Sequence, residues 1–285
     1  MRRAFIGTGL IGGALAEAAC GRGEDEIVVW NRTAERARPL EARGARVAET
    51  APEAVRGAAR VHLALTADQA VDAVLADVAD RLSEGAIVID HSTTSPPGAA
   101  ARAARCAERG VRFLHAPVFM SPAACRAAKG VMVVAGPEAL HAEVADELSA
   151  MTGEVFYVGD DGGHAAAFKL IGNCMILALL GGLTDAFAIA RAQGIALPRV
   201  IELFEHFDLR AVLKGRGARM AEADWTTSWT LAMARKDLGL MVDAAGADAL
   251  GVLPAMRERM DALLEEGEGE KDVGIVARDV ATERG

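Results

Sequence analysis

Short runs of consecutive apolar residues alternate with alanine-rich stretches from the N-terminus to about residue 158. Ala4-Phe5-Ile6, Ile27-Val28-Val29-Trp30, Val61-His62-Leu63-Ala64-Leu65, Ala86-Ile87-Val88-Ile89, Phe113-Leu114 and Val131-Met132-Val133-Val134 have the length and β-branched content of buried strands. Between them, Gly13 to Cys20, Ala34 to Arg43, Ala67 to Leu82 and Pro97 to Arg109 read as helices. Strands alternating with helices predict a doubly wound, mostly parallel α/β sheet of the Rossmann type, covered on both faces. After Gly159-Asp160-Asp161-Gly162-Gly163 the period changes: Ile176, Leu179, Leu180 and Leu183, with Phe187 and Ile189 beyond, recur at helical spacing, and no strand is expected from His164 to Leu264. Breaks fall at Gly194 to Pro198 and at Gly251 to Pro254. Two domains follow: 1–162, the α/β domain, and 163–285, an all-helical one. Glu265 to Asp272 is charged and reads as solvated, and the last residues are expected to be ordered only against a partner.

Composition supports two sizeable cores: of 285 residues, 52% are hydrophobic and 25% charged. The net charge of −9 argues against a generic binder of nucleic acid or of an anionic membrane. Cys20, Cys106, Cys125 and Cys174 stand apart with no C-x-x-C pair, which points to a reducing, cytoplasmic setting. Met1-Arg2-Arg3 leads into glycine rather than an apolar run, so no cleaved signal peptide is expected. The apolar stretch Cys174 to Thr184 is shorter than a bilayer crossing requires and reads as a buried helix. The six histidines form no H-E-x-x-H or i,i+4 pair, and no metal is expected. His91, His115 and His164, beside the motifs below, read as hydrogen-bonded residues at element ends, with substrate contact the alternative.

Gly7-Thr8-Gly9-Leu10-Ile11-Gly12 fits the dinucleotide fingerprint G-x-G-x-x-G, between the first strand and the first helix where such a loop must sit. Its glycines would serve a tight turn, close approach of backbone to a pyrophosphate, and close helix packing. A plain strand-to-helix turn is the other reading. About twenty residues further on, where an NAD-selective site carries Asp or Glu, the second strand ends in Trp30-Asn31-Arg32-Thr33. Arg32 could meet a 2′-phosphate, with Asn31 and Thr33 as hydrogen-bond donors, which favours NADP(H) over NAD(H). Alternatively Arg32 caps a solvated turn.

Lys169 and Asn173, four residues apart at the start of the helical half, share one helix face and can reach one ligand. A lysine amid Ala165, Ala166, Ala167, Phe168, Leu170 and Ile171 would be partly desolvated, which lowers its pKa and suits it to proton transfer. A snorkelling lysine beside a capping asparagine fits the spacing equally. Only five basic residues of 31 are lysines (Lys129, Lys169, Lys214, Lys236, Lys271), so charge alone seldom called for one here.

These motifs, with Asp90-His91-Ser92-Thr93-Thr94-Ser95-Pro96, Ala116-Pro117-Val118 and Lys236-Asp237-Leu238, resemble in order the β-hydroxyacid dehydrogenase family, which includes 3-hydroxyisobutyrate dehydrogenase and the glyoxylate/succinic semialdehyde reductases. The resemblance implies hydride transfer between a nicotinamide and a carbonyl or β-hydroxyl carbon. Lys169 would be the general acid/base and Asn173 would orient the substrate. Thr93 would lie by ribose, nicotinamide and substrate, Leu65 and Thr66 would line the adenosine side, and Lys236 would cover the cofactor as the domains close. From the residues alone, Thr93 reads as a turn cap and Lys236 as a surface charge. A homodimer or homotetramer through the helical domains is also implied. Family members typically continue Asp-Ala-Pro-Val into Ser-Gly-Gly, which holds a substrate carboxylate; here Phe119-Met120-Ser121 follows Val118. Those three residues are still assigned to the substrate site, but bulk replaces a polar clamp, which favours a semialdehyde or a more apolar carbonyl compound. The segment is also similar to imine reductases, which commonly carry Asp or Tyr where this chain has Lys169. An imine reductase and a non-catalytic cofactor-binding module are therefore the alternatives.

Overall fold

A computed structural model describes residues 1–23 and 26–281. The first strands run β1 (Arg2–Ile6), β2 (Glu26–Trp30), β3 (Arg46–Val47), β4 (Arg60–Leu63), β5 (Ile87–Asp90) and β6 (Arg112–His115). They form one six-stranded parallel sheet in the order β3-β2-β1-β4-β5-β6. Helices α1 (Leu10–Arg22), α2 (Ala51–Val55), α3 (Asp68–Val78) and α4 (Pro96–Glu108) connect them. Ile87, Val88 and Ile89 are wholly buried, as a parallel strand covered on both faces requires, and their side chains divide between the two cores. A second sheet, β7 (Val118–Phe119), β8 (Gly130–Val134) and β9 (Gly153–Tyr157), pairs β7 antiparallel and β9 parallel to β8, with α5 (Pro122–Arg126) and α6 (Glu138–Thr152) between.

Ala34 to Arg43 departs from the expected helix. It forms two 3₁₀ turns, Ala34–Arg36 and Arg38–Arg43, with Pro39 at the start of the second. Proline lacks the N–H that a continuous α-helix would use there.

Helix α7 (His164–Ala192) is followed by α8 (Leu197–His206), α9 (Leu209–Ala221), α10 (Leu231–Ala245), α11 (Leu253–Glu265) and α12 (Arg278–Ala281). The chain divides into compact units 1–173 and 174–285, so the division falls inside α7 rather than at 162. The reason lies in the first turn of α7, where Ala165 is buried against Val133 and Ala135 of the first unit. Cys174 to Thr184 is not the buried helix expected from its length: Ile176, Leu177 and Leu179 are at least half exposed, because little in the described chain covers them. By length and apolarity α7 would also suffice to cross a membrane, yet Asp185 interrupts it and is buried. The Asp185 carboxylate accepts amides of Gly251, Val252 and Leu253 at 2.6–2.9 Å, tying α7 to the start of α11.

The second unit's core gathers Leu231, Ala234 and Leu238 of α10, Met260 and Leu263 of α11, and Val273 and Ile275. The segment Glu265 to Asp272 is only partly the solvated stretch expected, for its last residue is 2% exposed. Asp272 accepts hydrogen bonds from Arg216 (2.8 Å), from Ser228 through both N–H and Oγ (2.9 Å each), and from the amides of Trp229 (3.2 Å) and Gly274 (2.9 Å). The residues beyond 281, for which partner-dependent order was expected, lie outside the described part.

Candidate cofactor and active site

In this strand order the chain reverses direction between β1 and β4, which opens a crevice at the C-terminal ends of the strands. The fingerprint loop lies there. Gly7 has φ +94°, a left-handed conformation, and a Cβ on it would overlap the Ala64 carbonyl and crowd Leu65 Cδ2 at 2.9 Å. At Gly12 a Cβ would overlap the Gly7 carbonyl and stand 2.8 Å from Ala64 Cβ, so α1 packs onto the loop only without a side chain. A Cβ on Gly9 would meet open space, and Gly9 caps α1 without any side-chain hydrogen bond. The first amides of α1 are thus left for an anion, and the residues fit a dinucleotide pyrophosphate. The adjoining cleft, about 480 Å³, is lined by Thr8, Gly9, Leu10, Gly13 and Arg36 among others. Arg36 was not singled out from sequence, since its place beside the loop depends on the 3₁₀ turn.

Arg32 and Thr33 are exposed at the end of β2, free to meet a ligand. Asn31 also serves the protein's own loops: its Oδ1 accepts the Thr8 amide (3.0 Å) and one N–H of its Nδ2 donates to the Thr33 carbonyl (2.8 Å). Leu65 follows β4 with its amide donating to Ser92 Oγ (2.9 Å), and Thr66 is exposed beside it. Thr93 is exposed in the loop after β5, between the buried Ser92 and Thr94.

A residue unmarked in the sequence holds these two loops together. Arg102 of α4, 1% exposed, donates to Asp72 Oδ1 (2.9 Å) and Asp68 Oδ1 (2.8 Å) and lies 3.7 Å from Asp90 Oδ2, while Asp68 Oδ2 accepts the Ser95 amide (3.0 Å). The only trace in the sequence is the acidic i,i+4 pair Asp68 and Asp72, which an arginine from another helix can bridge.

Beneath the loops His91 and His115 are buried and bonded to carbonyls, the structural reading of the two preferred above. His115 Nε2 meets Ser92 O at 3.0 Å, and His91 Nδ1 meets Ala116 O at 2.8 Å. A carbonyl only accepts, so His91 carries its proton on Nδ1, and its Nε2 then accepts from His62 Nδ1 at 3.0 Å. His164, by contrast, is exposed, 3.6 Å from Asp161 Oδ2. Burial, then the neighbouring His91 and the cations Arg3, Arg60 and Arg22, hold His62 well below the ordinary histidine range, and burial likewise lowers His91. A histidine depressed in the folded state contributes stability present above its unfolded pKa and lost below it. Stability of the first unit should therefore fall as pH drops below about 6.5, approaching about 1.4 kcal/mol per pH unit for each histidine. Urea titrations between pH 7 and 5 should show this slope, and His62→Phe should flatten it.

Lys169, on the first turns of α7, is half-buried, and burial lowers its pKa. Its Nζ donates to the Val118 carbonyl at 2.8 Å and sits 4.1 Å from the centroid of the Phe119 ring. Asn173 follows one turn later on the same helix. Met120 adjoins Gly130, whose hypothetical Cβ it would obstruct. Ser121 caps α5, its Oγ accepting the Ala124 amide at 3.2 Å, which ties the hydroxyl to the backbone. Phe119, Met120, Lys169 and Asn173 thus belong to the first unit, near the Ala116 to Val118 segment that His91 holds from below. Lys236 belongs to the second unit, exposed on α10 with Nζ 2.8 Å from Asp237 Oδ1. Among the described residues, no group of three or more His, Cys, Asp or Glu side chains is arranged to hold a metal.

A parallel sheet in this order, with a glycine loop shaped for a pyrophosphate, defines a dinucleotide-binding fold. Residues 2–159 match the NAD binding domain of 6-phosphogluconate dehydrogenase. The chain belongs to the β-hydroxyacid dehydrogenase family. It is 28% identical over 290 residues to the NAD-dependent L-serine dehydrogenase of Pseudomonas aeruginosa, with 96% of each chain covered. Over 293 residues it is 25% identical to glyoxylate/succinic semialdehyde reductase 1 of Arabidopsis thaliana, with 100% of each covered. Among solved structures it is similar to the Streptomyces aurantiacus imine reductase (TM-score 0.87, 26% identity, 99% of this chain and 100% of that one).

Proposed function

We propose that the protein reduces a small semialdehyde or ketone to its hydroxy compound, reversibly, with NADP(H) preferred and Lys169 as the general acid/base. The observation that carries this reading is the half-buried ammonium of Lys169, held beside Val118 and Phe119 with its pKa lowered by burial. A bound nicotinamide supplies a hydride, and with it two electrons, to the reacting carbon. As the carbon–oxygen π bond breaks, Lys169 delivers a proton to the oxygen, and the neutral amine regains one from water. In the oxidising direction the amine removes that proton. Asn173, with both a donor and an acceptor on its amide, orients the substrate oxygen from the same helix face. Thr93 would serve the nicotinamide and substrate, and Leu65 and Thr66 would border the nucleotide.

Phe119 and Met120 favour a substrate flanked by apolar groups. An imine reductase is the second reading, supported by the imine reductase similarity and by this apolar segment. A lysine acid favours carbonyl chemistry, since protonating a developing alkoxide is the step that needs one.

Arg32, exposed where no carboxylate stands, supports NADP(H), and Arg36 beside the fingerprint adds a second cation. The named NAD dependence of the L-serine dehydrogenase makes this the point to measure. Arg32→Ala should lower kcat/KM for NADPH about 10- to 100-fold, the worth of charge-assisted hydrogen bonds, and leave NADH nearly unchanged.

A homodimer or homotetramer through the second unit is supported by apolar side chains that the single chain leaves exposed: Leu177, Leu180, Ile201, Leu203 and Leu213 among them. A cytoplasmic setting suits the free thiols, of which Cys106 is pushed by burial up to about 11.

The test of the reaction is consumption of NADPH and NADH, followed spectrophotometrically, with glyoxylate, succinic semialdehyde, methylmalonate semialdehyde, tartronate semialdehyde and a cyclic imine. Turnover of a semialdehyde supports the carbonyl reading; turnover of the imine alone overturns it.

A further inference from the structure

Lys169, Gly172 and Asn173 follow one another at i, i+3 and i+4, so they share one face of α7. Gly172 lies against an aromatic ring: a Cβ on it would fall inside Phe119, 2.5 Å from Cε1 and closer still to Cζ. The helix therefore approaches the ring with bare backbone, and only glycine permits that distance. The same ring presents its face to the Lys169 ammonium, 4.1 Å from the centroid. Phe119 is in turn fixed from behind. Its backbone pairs with Val131 in the β7–β8 ladder, and its side chain packs against the buried cluster of Val133, Ala135 and Ala165. Helix, ring and strand leave the lysine little freedom.

We propose that Phe119, seated in the space that Gly172 leaves, is a positioning residue that fixes the Lys169 ammonium and leaves a single N–H for substrate. An ammonium has three donors. One is spent on Val118 O, and a second side of the group faces the π cloud, which attracts a cation but accepts no proton from it. The remaining N–H can serve one atom, the oxygen that becomes the hydroxyl, and cannot also clamp a carboxylate with a second bond. Burial lowers the basicity of Lys169. The ring thus works against burial, stabilising the cation that burial disfavours. This inference deepens the reading of Lys169 as the acid and rests on it for its catalytic meaning, but the lock itself can be measured without substrate.

The experiment is a pH titration of the full-length protein labelled with ¹³Cε-lysine, followed by NMR. Five lysines give a spectrum simple enough to assign, with Lys169→Arg identifying the resonance. Phe119→Leu keeps apolar bulk and removes the π face, so its Lys169 midpoint should fall by about half a unit to one and a half units, the worth of a cation–π contact. Phe119→Tyr keeps the face and should restore the midpoint to within a few tenths of the parent value. Gly172→Ala, which displaces the ring, should also lower it. If Phe119→Leu unfolds, the tyrosine and alanine variants decide the matter between them. An unchanged or raised midpoint in both Phe119→Leu and Gly172→Ala overturns the lock. A merely structural role would lower the melting temperature without moving the midpoint. Should Lys169→Ala retain full turnover while these midpoints move as expected, the catalytic reading fails and the lock stands.

Discussion

On the proposed reaction, a Lys169→Ala variant should reduce semialdehydes about 10²–10⁴ times more slowly than the parent chain, the usual worth of a positioned acid. KM for NADPH should stay within a few-fold, because none of the fingerprint contacts passes through this side chain. The pH dependence identifies the role. With Lys169 as the proposed acid, reduction needs the ammonium, so kcat should fall as pH rises through the Lys169 pKa, which burial places below the ordinary lysine range. Oxidation needs the amine and should rise through the same limb. Both limbs should vanish in the alanine variant. Lys169→Arg should not restore activity, since a guanidinium holds the charge but releases no proton near neutrality. An arginine variant with parental kcat would show that only the charge at this position matters.

Asp272→Ala should destabilise the second unit by about 3–5 kcal/mol, since its removal leaves a half-buried arginine without its partner and several amides without an acceptor. Burial by itself would raise this carboxyl, yet the amides of Gly274 and Ser228, the Ser228 hydroxyl and the Trp229 amide outweigh it and bring the pKa down to about 2. The carboxylate is therefore fully stabilising above the ordinary aspartate range, and that stability is lost as pH falls from about 4 toward 2. Tryptophan fluorescence reports on this region, because Trp229 binds the carboxylate and Trp225 packs on the core of the unit. Urea midpoints followed this way should drop in the alanine variant, and its acid limb below pH 4 should flatten. An unaltered midpoint would mean that the segments at Ser228–Trp229 and Gly274 are held by something other than Asp272.

What the sequence made legible follows from how local each signal is. Strands β1, β2, β4, β5 and β8 announce themselves as continuous apolar runs, and the fingerprint is a six-residue pattern complete in itself. β3 and β7 contain two residues each, too short for any period to register. β9 has exposed Glu154 and Phe156, and only its parallel pairing with β8 makes it a strand. The surface of α7 misled for a different reason: apolarity predicts burial, yet little in the described chain covers Ile176, Leu177 and Leu179. Asn31 reads from sequence as a ligand donor, yet its Oδ1 accepts the amide of Thr8, 23 residues away. The contact between Lys169 and Val118 spans 51 residues, and no spacing rule foresees it. Residue types were thus enough to nominate the lysine, whereas the ring and the bare glycine beside it emerge only in three dimensions.

The bond from Asn31 to the Thr8 amide bears on how the nucleotide would be received. A glycine loop is floppy by default, and a ligand that had to freeze it would spend part of its binding free energy on that ordering. Here the freezing is done during folding, by a side chain anchored at the end of the neighbouring strand. An incoming dinucleotide would meet a mould already set, with association limited by encounter more than by rearrangement.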